Sequence, residues 1–241
     1  MPDGGALVED SRSSAGREHY LVRPPGSANG AAVLYLHWFD EAPNANRSQY
    51  LEEAKQLAEL GVVSLLPQLA FPWHSAPSDI DSDLTRIRAE VEYLSAAYQL
   101  LAGAEDVDST RIGVVGHDFG AMYGMLLLGV FEPGCAVLVA ATPRWADWFL
   151  RFWPVDSDRF DYMRSLHEVD PITVLEVAKC PLLFQFGKQD FYIAAMTGLE
   201  LYEAAPDPKR MLSYDTGHEM DGDEIMTDRV GFLSERLGFT I

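Results

Sequence analysis

The chain has 241 residues, 48% of them hydrophobic, and a formal net charge of −19 at pH 7. This length and apolar content suffice for one α/β domain with a large core, which we take as residues 1–241. A negative field of this strength repels polyanions, so nucleic acid and anionic membrane surfaces are excluded as expected partners.

The start of the chain is polar. Residues 1–18 carry no signal-peptide pattern and no long apolar span follows them, so we expect a cytoplasmic protein. They predict either a loose lead-in or an irregular first strand. Residues 19–22 predict an edge strand, and the uninterrupted apolar run at 31–36 predicts a parallel strand that is covered on both faces.

A helix, a strand and a second helix follow. Leu and Ala recur at helical spacing over 48–60 before a glycine, which predicts an amphipathic helix. Residues 62–66 predict a strand whose loop leaves from the carboxyl edge of a parallel sheet, so Trp73 and His74 become candidates for a substrate pocket there. Another amphipathic helix is predicted at 83–102.

A strand, a sharp turn and a helix follow one another at 111–130. An apolar run at 112–115 gives way to Gly-His-Asp-Phe-Gly at 116–120 and then to an Ala, Met and Leu run. The two glycines allow the strand and the helix to approach closely. Asp118, between them, is expected in a strained turn at the carboxyl edge of the sheet.

Two more buried strands are predicted at 135–141 and 181–186, and the segment between them, about 142–179, is an irregular insertion. It is dense in aromatic residues, which can line an apolar pocket, cover the core or meet a second subunit. The pocket candidates among them are Trp145, Trp148 and Tyr162. Two arginines of the insertion suit either a substrate carboxylate or the surface of a lid, namely Arg144 and Arg151.

Polar segments follow the last two strands. Asp190 ends Gly-Lys-Gln-Asp after strand 181–186, and His218 ends Asp-Thr-Gly-His after a final strand at 211–214. Strands and helices alternate along the chain. This predicts an α/β fold with a doubly wound, mostly parallel sheet and helices on both faces.

In these features the chain resembles the α/β-hydrolase superfamily over nearly its whole length, with 142–179 as a short lid. The segment 116–120 is similar to the aspartate-nucleophile elbow of haloalkane dehalogenases and epoxide hydrolases, whereas the short chain and residues 184–190 look more like dienelactone hydrolases. The resemblance implies that Asp118, Asp190 and His218 are the nucleophile, the orienting acid and the base.

Other roles stay open for two aspartates. Asp190 also suits the cap of a helix that begins at Tyr192. Asp147 is the alternative orienting acid, because some aspartate-nucleophile members of the superfamily take that acid from just after the strand that follows the elbow.

The resemblance also implies an oxyanion hole. One backbone N–H comes from Trp38 or Phe39, and the other comes from Phe119. Trp38 stands where the superfamily usually has glycine, and its indole N–H offers a further donor for a leaving group. Simple packing is the alternative role for this tryptophan.

Three departures bear on the subclass. Phe119 stands where haloalkane dehalogenases carry a halide-binding tryptophan, so Trp38, Trp73 or a lid tryptophan has to supply that donor. The residues after it lack the arginines of fluoroacetate dehalogenases. Tyr162 is the only tyrosine of the lid segment for the acid role that epoxide hydrolases give to cap tyrosines.

A carboxylate at the elbow indicates the chemistry. It is ionised near pH 7, and it displaces a halide or an epoxide oxygen at an sp³ carbon better than it attacks an ester carbonyl. We therefore predict a hydrolase of the dehalogenase or epoxide hydrolase type that forms an alkyl-enzyme ester. The alternatives are an ester or lactone hydrolase with Asp118 as general base, and a non-catalytic protein that binds a small ligand.

A small-molecule substrate is the expected partner, and both a monomer and a homodimer remain open. No cofactor or metal is expected, since the sequence lacks a metal-ligand cluster, a phosphate loop and a dinucleotide fingerprint. Cys135 and Cys180 lie in apolar surroundings and are predicted to be reduced core thiols.

Overall fold

Eight strands form one sheet among the residues that this computed structural model describes, which are 5–14, 16–39, 46–71, 79–152 and 158–241. The strands are β1 (Leu7–Arg12), β2 (Glu18–Arg23), β3 (Gly30–Leu36), β4 (Val63–Pro67), β5 (Val107–His117), β6 (Cys135–Val139), β7 (Leu182–Gly187) and β8 (Lys209–Tyr214). Their order is β1-β2-β4-β3-β5-β6-β7-β8, and every pair from β4 to β8 is parallel. The predicted, mostly parallel α/β sheet is confirmed.

Helices cover both faces of this sheet. They are α1 (Leu51–Glu59), α2 (Ile80–Ala102), α3 (Phe119–Leu128), α4 (Trp145–Phe152), α5 (Arg159–Leu166), α6 (Pro171–Leu175), α7 (Ala195–Ala204) and α8 (Asp223–Leu237), with a 3₁₀ turn at His167–Val169. Neighbouring residues of β5 face different helices: a Cβ at Gly113 would meet Leu233 of α8, whereas Val114 lies against Gly124 of α3. Because successive strand residues point to opposite faces, α3 and α8 lie on opposite sides.

The turn between β5 and α3 holds Asp118 in the conformation that the elbow pattern predicts. Its φ is 56° and its ψ is −120°, and its N–H donates to Val139 O at 2.9 Å. A Cβ at Gly116 would lie 2.5 Å from Gly120 O, and one at Gly120 would lie 2.2 Å from Leu36 O. Only glycine permits this approach of strand to helix, which fixes Asp118 at the carboxyl edge of the sheet.

The structure corrects the N-terminal strands. β2 pairs antiparallel with β1 on one side and with β4 on the other, so the edge strand is β1 and the prediction of an edge at 19–22 is wrong. Five of the six residues of β1 are exposed. No apolar alternation marks such a strand, which is why its sequence also allowed a loose lead-in.

Two helices begin elsewhere than predicted. Turns occupy 46–50, and α1 begins only at Leu51. In contrast, α2 begins early, at Ile80, because the Asp79 side chain accepts a hydrogen bond from the Ser82 N–H at 3.0 Å and caps the helix.

Core packing accounts for both cysteines. Cys135 and Cys180 are buried free thiols, as predicted. None of the described helices combines the length and the apolar character needed to cross a membrane.

Candidate active site

Three loops at the carboxyl edge of the sheet bring their side chains together at Asp118. His218, in the loop after β8, places Nε2 4.0 Å from Asp118 Oδ1, and its Nδ1 lies 2.8 Å from Oδ2 of Asp190, which follows β7. A carboxylate only accepts hydrogen bonds, so Nδ1 carries the hydrogen and Nε2 of the neutral ring faces Asp118 with its lone pair. The three residues named by the resemblance therefore meet.

Asp190 uses its two oxygens for different purposes. Oδ1 accepts hydrogen bonds from the N–H groups of Tyr192 and Ile193 at 2.7 and 2.9 Å, while Oδ2 holds His218. Asp190 was also predicted to cap a helix that begins at Tyr192. The hydrogen bonds of such a turn are present, but the helix α7 begins later, at Ala195. The turn fixes the carboxylate that orients the imidazole, so the two interpretations are compatible. Asp147, the alternative acid, lies 3.7 Å from Arg144 instead.

Two backbone N–H groups point at the Asp118 carboxylate itself. The Phe39 N–H donates to Oδ2 at 3.1 Å, and the Phe119 N–H also donates to this carboxyl group. Of the two candidates after β3, the donor is therefore Phe39, because the Trp38 N–H donates to Gln49 Oε1 at 2.9 Å. Oδ1 of Asp118 has no hydrogen-bond partner within the described structure.

His37 orients the peptide that carries the Phe39 N–H. Its Nε2 accepts a hydrogen bond from the Leu69 N–H at 2.9 Å, so its Nδ1 carries the hydrogen and donates to Trp38 O at 2.7 Å. The carbonyl and the N–H of a trans peptide point in opposite directions. Holding the carbonyl of Trp38 towards His37 therefore aims the N–H of Phe39 at Asp118, without the glycine that the superfamily usually has here.

Burial governs the electrostatics of the pair. Asp118 is 3% exposed, and burial raises its pKa to about 6 although His218 and the two N–H donors favour the ionised form. Burial lowers the pKa of His218, but the hydrogen bond to Asp190 and the charges of Asp118 and Asp190 outweigh it, so that pKa lies above its ordinary value. Near pH 7 the carboxylate is ionised. Within the described residues, no group of three or more His, Cys, Asp or Glu side chains could hold a metal ion.

Aromatic side chains surround the reacting groups. Rings with centroids 5.0 to 6.2 Å from that of His218 or Phe119 include those of Trp38, Phe39, Phe71, Trp148 and Tyr192. The buried Nε1 of Trp38 has no hydrogen-bond partner in the described part of the chain. The surroundings of Asp118 and His218 are thus largely apolar.

Two of the three pocket candidates in the insertion belong to the core. Trp145 is fully buried and its Nε1 donates to Val169 O at 2.8 Å, while the Tyr162 hydroxyl donates to Asp83 Oδ2 at 2.8 Å. The prediction that they line a pocket is therefore corrected: α4 and α5 turn these side chains towards the interior. Trp148, on the same helix as Trp145, reaches the site and packs on Phe119 at 5.4 Å.

The arginines of the insertion are engaged in the structure. Arg144 pairs with Glu200 and Asp147, and Arg151 donates to the carbonyl oxygens of Tyr192 and Phe191. Arg151 thereby ties α4 to the turn that carries Asp190. These contacts favour a structural role for both arginines over the binding of a substrate carboxylate.

Other predicted and unpredicted residues complete the site. Trp73 and His74 lie outside the described residues. Phe71 and Tyr192 were not predicted to belong to the site. Phe71 lies in the loop after β4, which was predicted to reach the site, and Tyr192 follows Asp190 by two positions. Gln49 was also missed, and no signal in its surroundings marks it.

The fold has well-matched counterparts, although no family model and no curated protein sequence matches the chain. Acetyl xylan esterase 1 from Thermoanaerobacterium sp. JW/SL YS485 superposes with a TM-score of 0.73 at 14% identity, over 98% of this chain and 84% of that one. The α/β-hydrolase GrgF from Penicillium sp. sh18 gives 0.69 at 16% identity, over 97% and 99%. A 2,6-dihydroxy-pseudo-oxynicotine hydrolase gives 0.72 at 15%, over 96% and 68%. The predicted α/β-hydrolase fold is confirmed.

Proposed function

We propose that this chain is a hydrolase that opens a carbon–halogen bond or an epoxide through an ester on Asp118. The observation that carries the proposal is the position of its carboxylate. Oδ2 accepts from the Phe39 N–H, the Phe119 N–H also favours the ionised carboxyl group, and Oδ1, which has no hydrogen-bond partner among the described residues, lies 4.0 Å from His218 Nε2. This distance is too long for a hydrogen bond, and an ionised carboxylate needs no base to remove a proton before it attacks.

In the first step Asp118 Oδ1 attacks an sp³ carbon of the substrate. A carbon–oxygen bond forms as the bond to the halogen or epoxide oxygen breaks, and the electron pair leaves with the halide or the alkoxide. An alkoxide then takes a proton from solvent or from a nearby acid. The product is an alkyl ester in which Oδ2 has become the carbonyl oxygen, still facing the two N–H groups.

In the second step water hydrolyses this ester. His218 Nε2 takes a proton from the water, whose oxygen attacks Cγ of Asp118, and the imidazolium is stabilised by Asp190. Negative charge develops on Oδ2, where the Phe39 and Phe119 N–H groups stabilise it. Collapse expels the alkoxide, which takes the proton from the imidazolium and leaves as the alcohol. The Asp118 carboxyl group then loses its proton to solvent, so that one water is consumed in each cycle.

The surroundings support a neutral, apolar substrate. Aromatic rings line the site, and Arg144 and Arg151 already pair with protein groups. Among the described residues, neither arginine of the insertion is left for a haloacid carboxylate, which would enter next to the charges of Asp118 and Asp190. The Trp38 indole N–H is the donor that suits the departing halide or oxygen.

An ester hydrolase with Asp118 as general base is the second candidate. It is favoured by the fold likeness to an acetyl xylan esterase and by the pKa of about 6 for Asp118, which suits a base. The same geometry speaks against it. A substrate carbonyl would need the N–H groups of Phe39 and Phe119, and Asp118 itself occupies them.

Intact mass and peptide mapping of a His218→Gln variant test the proposal. The variant is incubated with primary haloalkanes, terminal epoxides and activated esters, and His167→Gln serves as matched control because that side chain is 71% exposed. We expect an alkyl adduct on Asp118 that persists in His218→Gln and is absent after turnover in His167→Gln. Asp118→Asn in the His218→Gln background should abolish the adduct.

The outcomes separate the three candidate functions. An adduct mapped to Asp118 supports the alkyl-enzyme ester, and its mass identifies the substrate class. Turnover of an ester by the unmodified protein, with no adduct in the variant, would replace the proposal by the general-base mechanism. Binding of a probe with neither adduct nor turnover would favour the non-catalytic protein.

A further inference from the structure

A chain of hydrogen bonds runs behind the candidate site through the side chains of Gln49 and His117. The Trp38 N–H donates to Gln49 Oε1 at 2.9 Å, and Gln49 Nε2 lies 2.6 Å from His117 Nδ1. His117 Nε2 lies 2.9 Å from the carbonyl oxygen of His218. The loops after β3 and β8 are thereby joined through the last residue of β5.

The chemistry of the partners determines every hydrogen in this relay. A carbonyl oxygen only accepts, so His117 Nε2 carries the hydrogen that points at His218 O. Nδ1 then has a lone pair and accepts from the amide NH₂ of Gln49, whose oxygen remains for the Trp38 N–H. Burial and the neighbouring His218 hold the pKa of His117 well below its usual range, so the ring stays neutral. One orientation of the Gln49 amide and one tautomer of His117 satisfy all three contacts of the relay.

We propose that Gln49 and His117 are positioning residues for hydrolysis of the ester on Asp118. They hold the Trp38–Phe39 peptide, whose N–H faces Asp118, at a fixed separation from the loop that carries His218. This inference rests on the proposed function. Neither side chain bonds to Asp118, but the relay restrains the residue before Phe39 at one end and the backbone of His218 at the other. A shift at either end changes the geometry around Oδ2 or the 4.0 Å gap to Nε2.

Ring packing supports the same assignment. The His117 ring packs against those of both Trp38 and His218, with centroid distances of 5.2 and 5.3 Å. Removing the hydrogen bonds while keeping the ring contacts is therefore possible by changing Gln49 alone. A cavity of about 240 Å³ borders both Gln49 and His117, so a side chain of similar size at position 49 is accommodated without overpacking.

Two substitutions at one position separate the two ends of the relay. Gln49→Leu removes both hydrogen bonds, whereas Gln49→Glu keeps an acceptor for the Trp38 N–H and loses the donor to His117. Glu52→Gln is the matched control, because Glu52 borders the same cavity but pairs with Lys55. Hydrogen exchange of the Trp38 amide reports one end, and the imidazole ¹⁵N resonances of His117 report the other.

We expect Gln49→Leu to speed exchange of the Trp38 amide by about tenfold or more, the size expected for one lost hydrogen bond. Gln49→Glu should keep that amide protected, and its carboxylate should bring a proton onto His117 Nδ1 at a higher pH than in the unmodified protein. Glu52→Gln should change neither signal. Unchanged exchange in Gln49→Leu together with unchanged ¹⁵N resonances in Gln49→Glu would overturn the relay.

Turnover tests the positioning role. On a substrate identified by adduct formation, Gln49→Leu should lower kcat about tenfold with KM within twofold, and Gln49→Glu should recover part of the loss. Equal loss in kcat and in thermal stability for both variants would reduce the relay to a structural element and overturn the proposal. If no substrate is turned over, the function in the preceding section fails, while amide exchange and ¹⁵N resonances still decide whether the relay exists.

Discussion

Two buried carboxylates of this fold differ in how their oxygens are hydrogen-bonded. Glu53 and Asp118 are 5% and 3% exposed. Glu53 accepts hydrogen bonds from the guanidinium of Arg229 and from the Tyr35 hydroxyl, so both of its oxygens are paired. Asp118 accepts backbone N–H groups, and its Oδ1 has no hydrogen-bond partner in the described part of the molecule.

The pairing around Glu53 extends through the core. Arg229 donates to Gln185 Oε1 at 3.0 Å, and Gln185 Nε2 donates to Tyr214 and to Ile225 O. Burial lowers the pKa of Arg229, but the charge and hydrogen bonds of Glu53 outweigh it and hold that pKa above its ordinary value. The charges neutralise each other, and the hydrogen bonds connect α1, α8 and the middle of the sheet.

The comparison shows how pairing separates a structural carboxylate from a reactive one. A fully paired carboxylate has no oxygen left for a substrate. Burial raises the pKa of Asp118 to about 6, and its Oδ1, which has no hydrogen-bond partner in the described part of the molecule, is a poorly solvated oxygen free to attack. Pairing thus offsets the cost of burial at Glu53, whereas at Asp118 part of that cost remains.

Removing Arg229 should give the largest effect. Arg229→Met leaves Glu53 buried without its partner, and we expect the free energy of unfolding to fall by about 3–5 kcal/mol in urea titrations. The control is Arg210→Met, whose pair with Glu235 is about half exposed and should contribute less than about 1 kcal/mol. A double variant, Glu53→Leu with Arg229→Met, should recover most of the loss. Equal destabilisation of the single and double variants would contradict the role given to pairing.

Asp118→Asn should have a smaller effect of the opposite sign. The pKa of Asp118 is raised by burial from 3.8 to about 6, so folding favours the protonated carboxyl group: this contribution is complete below pH 3.8 and is lost as the pH rises through 6. The neutral amide avoids that loss, and we expect Asp118→Asn to raise the free energy of unfolding at pH 8 by about 2–3 kcal/mol.

The pH dependence provides the control for that variant. The two proteins should converge in stability at about pH 3 and below, where the carboxyl group is largely protonated in both the folded and the unfolded states. Glu176→Gln, at an exposed position, should change stability little at any pH. A stabilisation that persists undiminished at about pH 3 would show that the amide acts through new contacts and not through the absent charge.

Much of the fold was predictable because its strands are buried on both faces and read as apolar runs, as at 31–36 and 112–115. The elbow was also predictable, because its two glycines allow the close approach of strand and helix and their spacing is visible in the sequence. The exposed strand β1 was not predictable in this way, since hydrogen bonds to β2 hold it and no apolar pattern marks it.

The residues of the site also divide into those that the sequence pattern predicted and those whose placement depends on tertiary contacts. Asp118, Asp190 and His218 were placed by their positions after strands, and the structure brings them together. Side-chain direction was not predictable, because packing decides it: Trp145 turns into the core while Trp148 on the same helix faces His218. A relay through Gln49 depends on contacts between loops that are distant in sequence, and local patterns carry no information about such contacts.

The rates of the two steps of the proposed reaction should depend on pH over different ranges. Below the pKa that controls it, each rate should fall about tenfold per pH unit, or 1.4 kcal/mol. Alkylation requires the ionised form of Asp118, so its rate should fall as the pH drops below about 6. Ester hydrolysis requires neutral His218. The ester removes the charge of Asp118, but the hydrogen bond and the charge of Asp190 still raise the pKa of His218, so the hydrolysis rate should fall with decreasing pH along a limb of its own. The alkyl-enzyme should therefore accumulate at a pH at which Asp118 of the free protein is ionised and His218 of the ester is protonated.

Rapid-quench mass spectrometry of the unmodified protein, sampled from pH 5 to 9, measures both steps. Asp190→Asn removes a group that raises the pKa of His218, so it should move the hydrolysis limb to lower pH and leave the alkylation limb almost in place. Coupled ionisations belong to the pair and not to either residue, so a single limb shared by both steps in both proteins would show that one ionisation controls the whole reaction. That result would contradict the assignment of alkylation to the ionisation of Asp118 and of ester hydrolysis to that of His218.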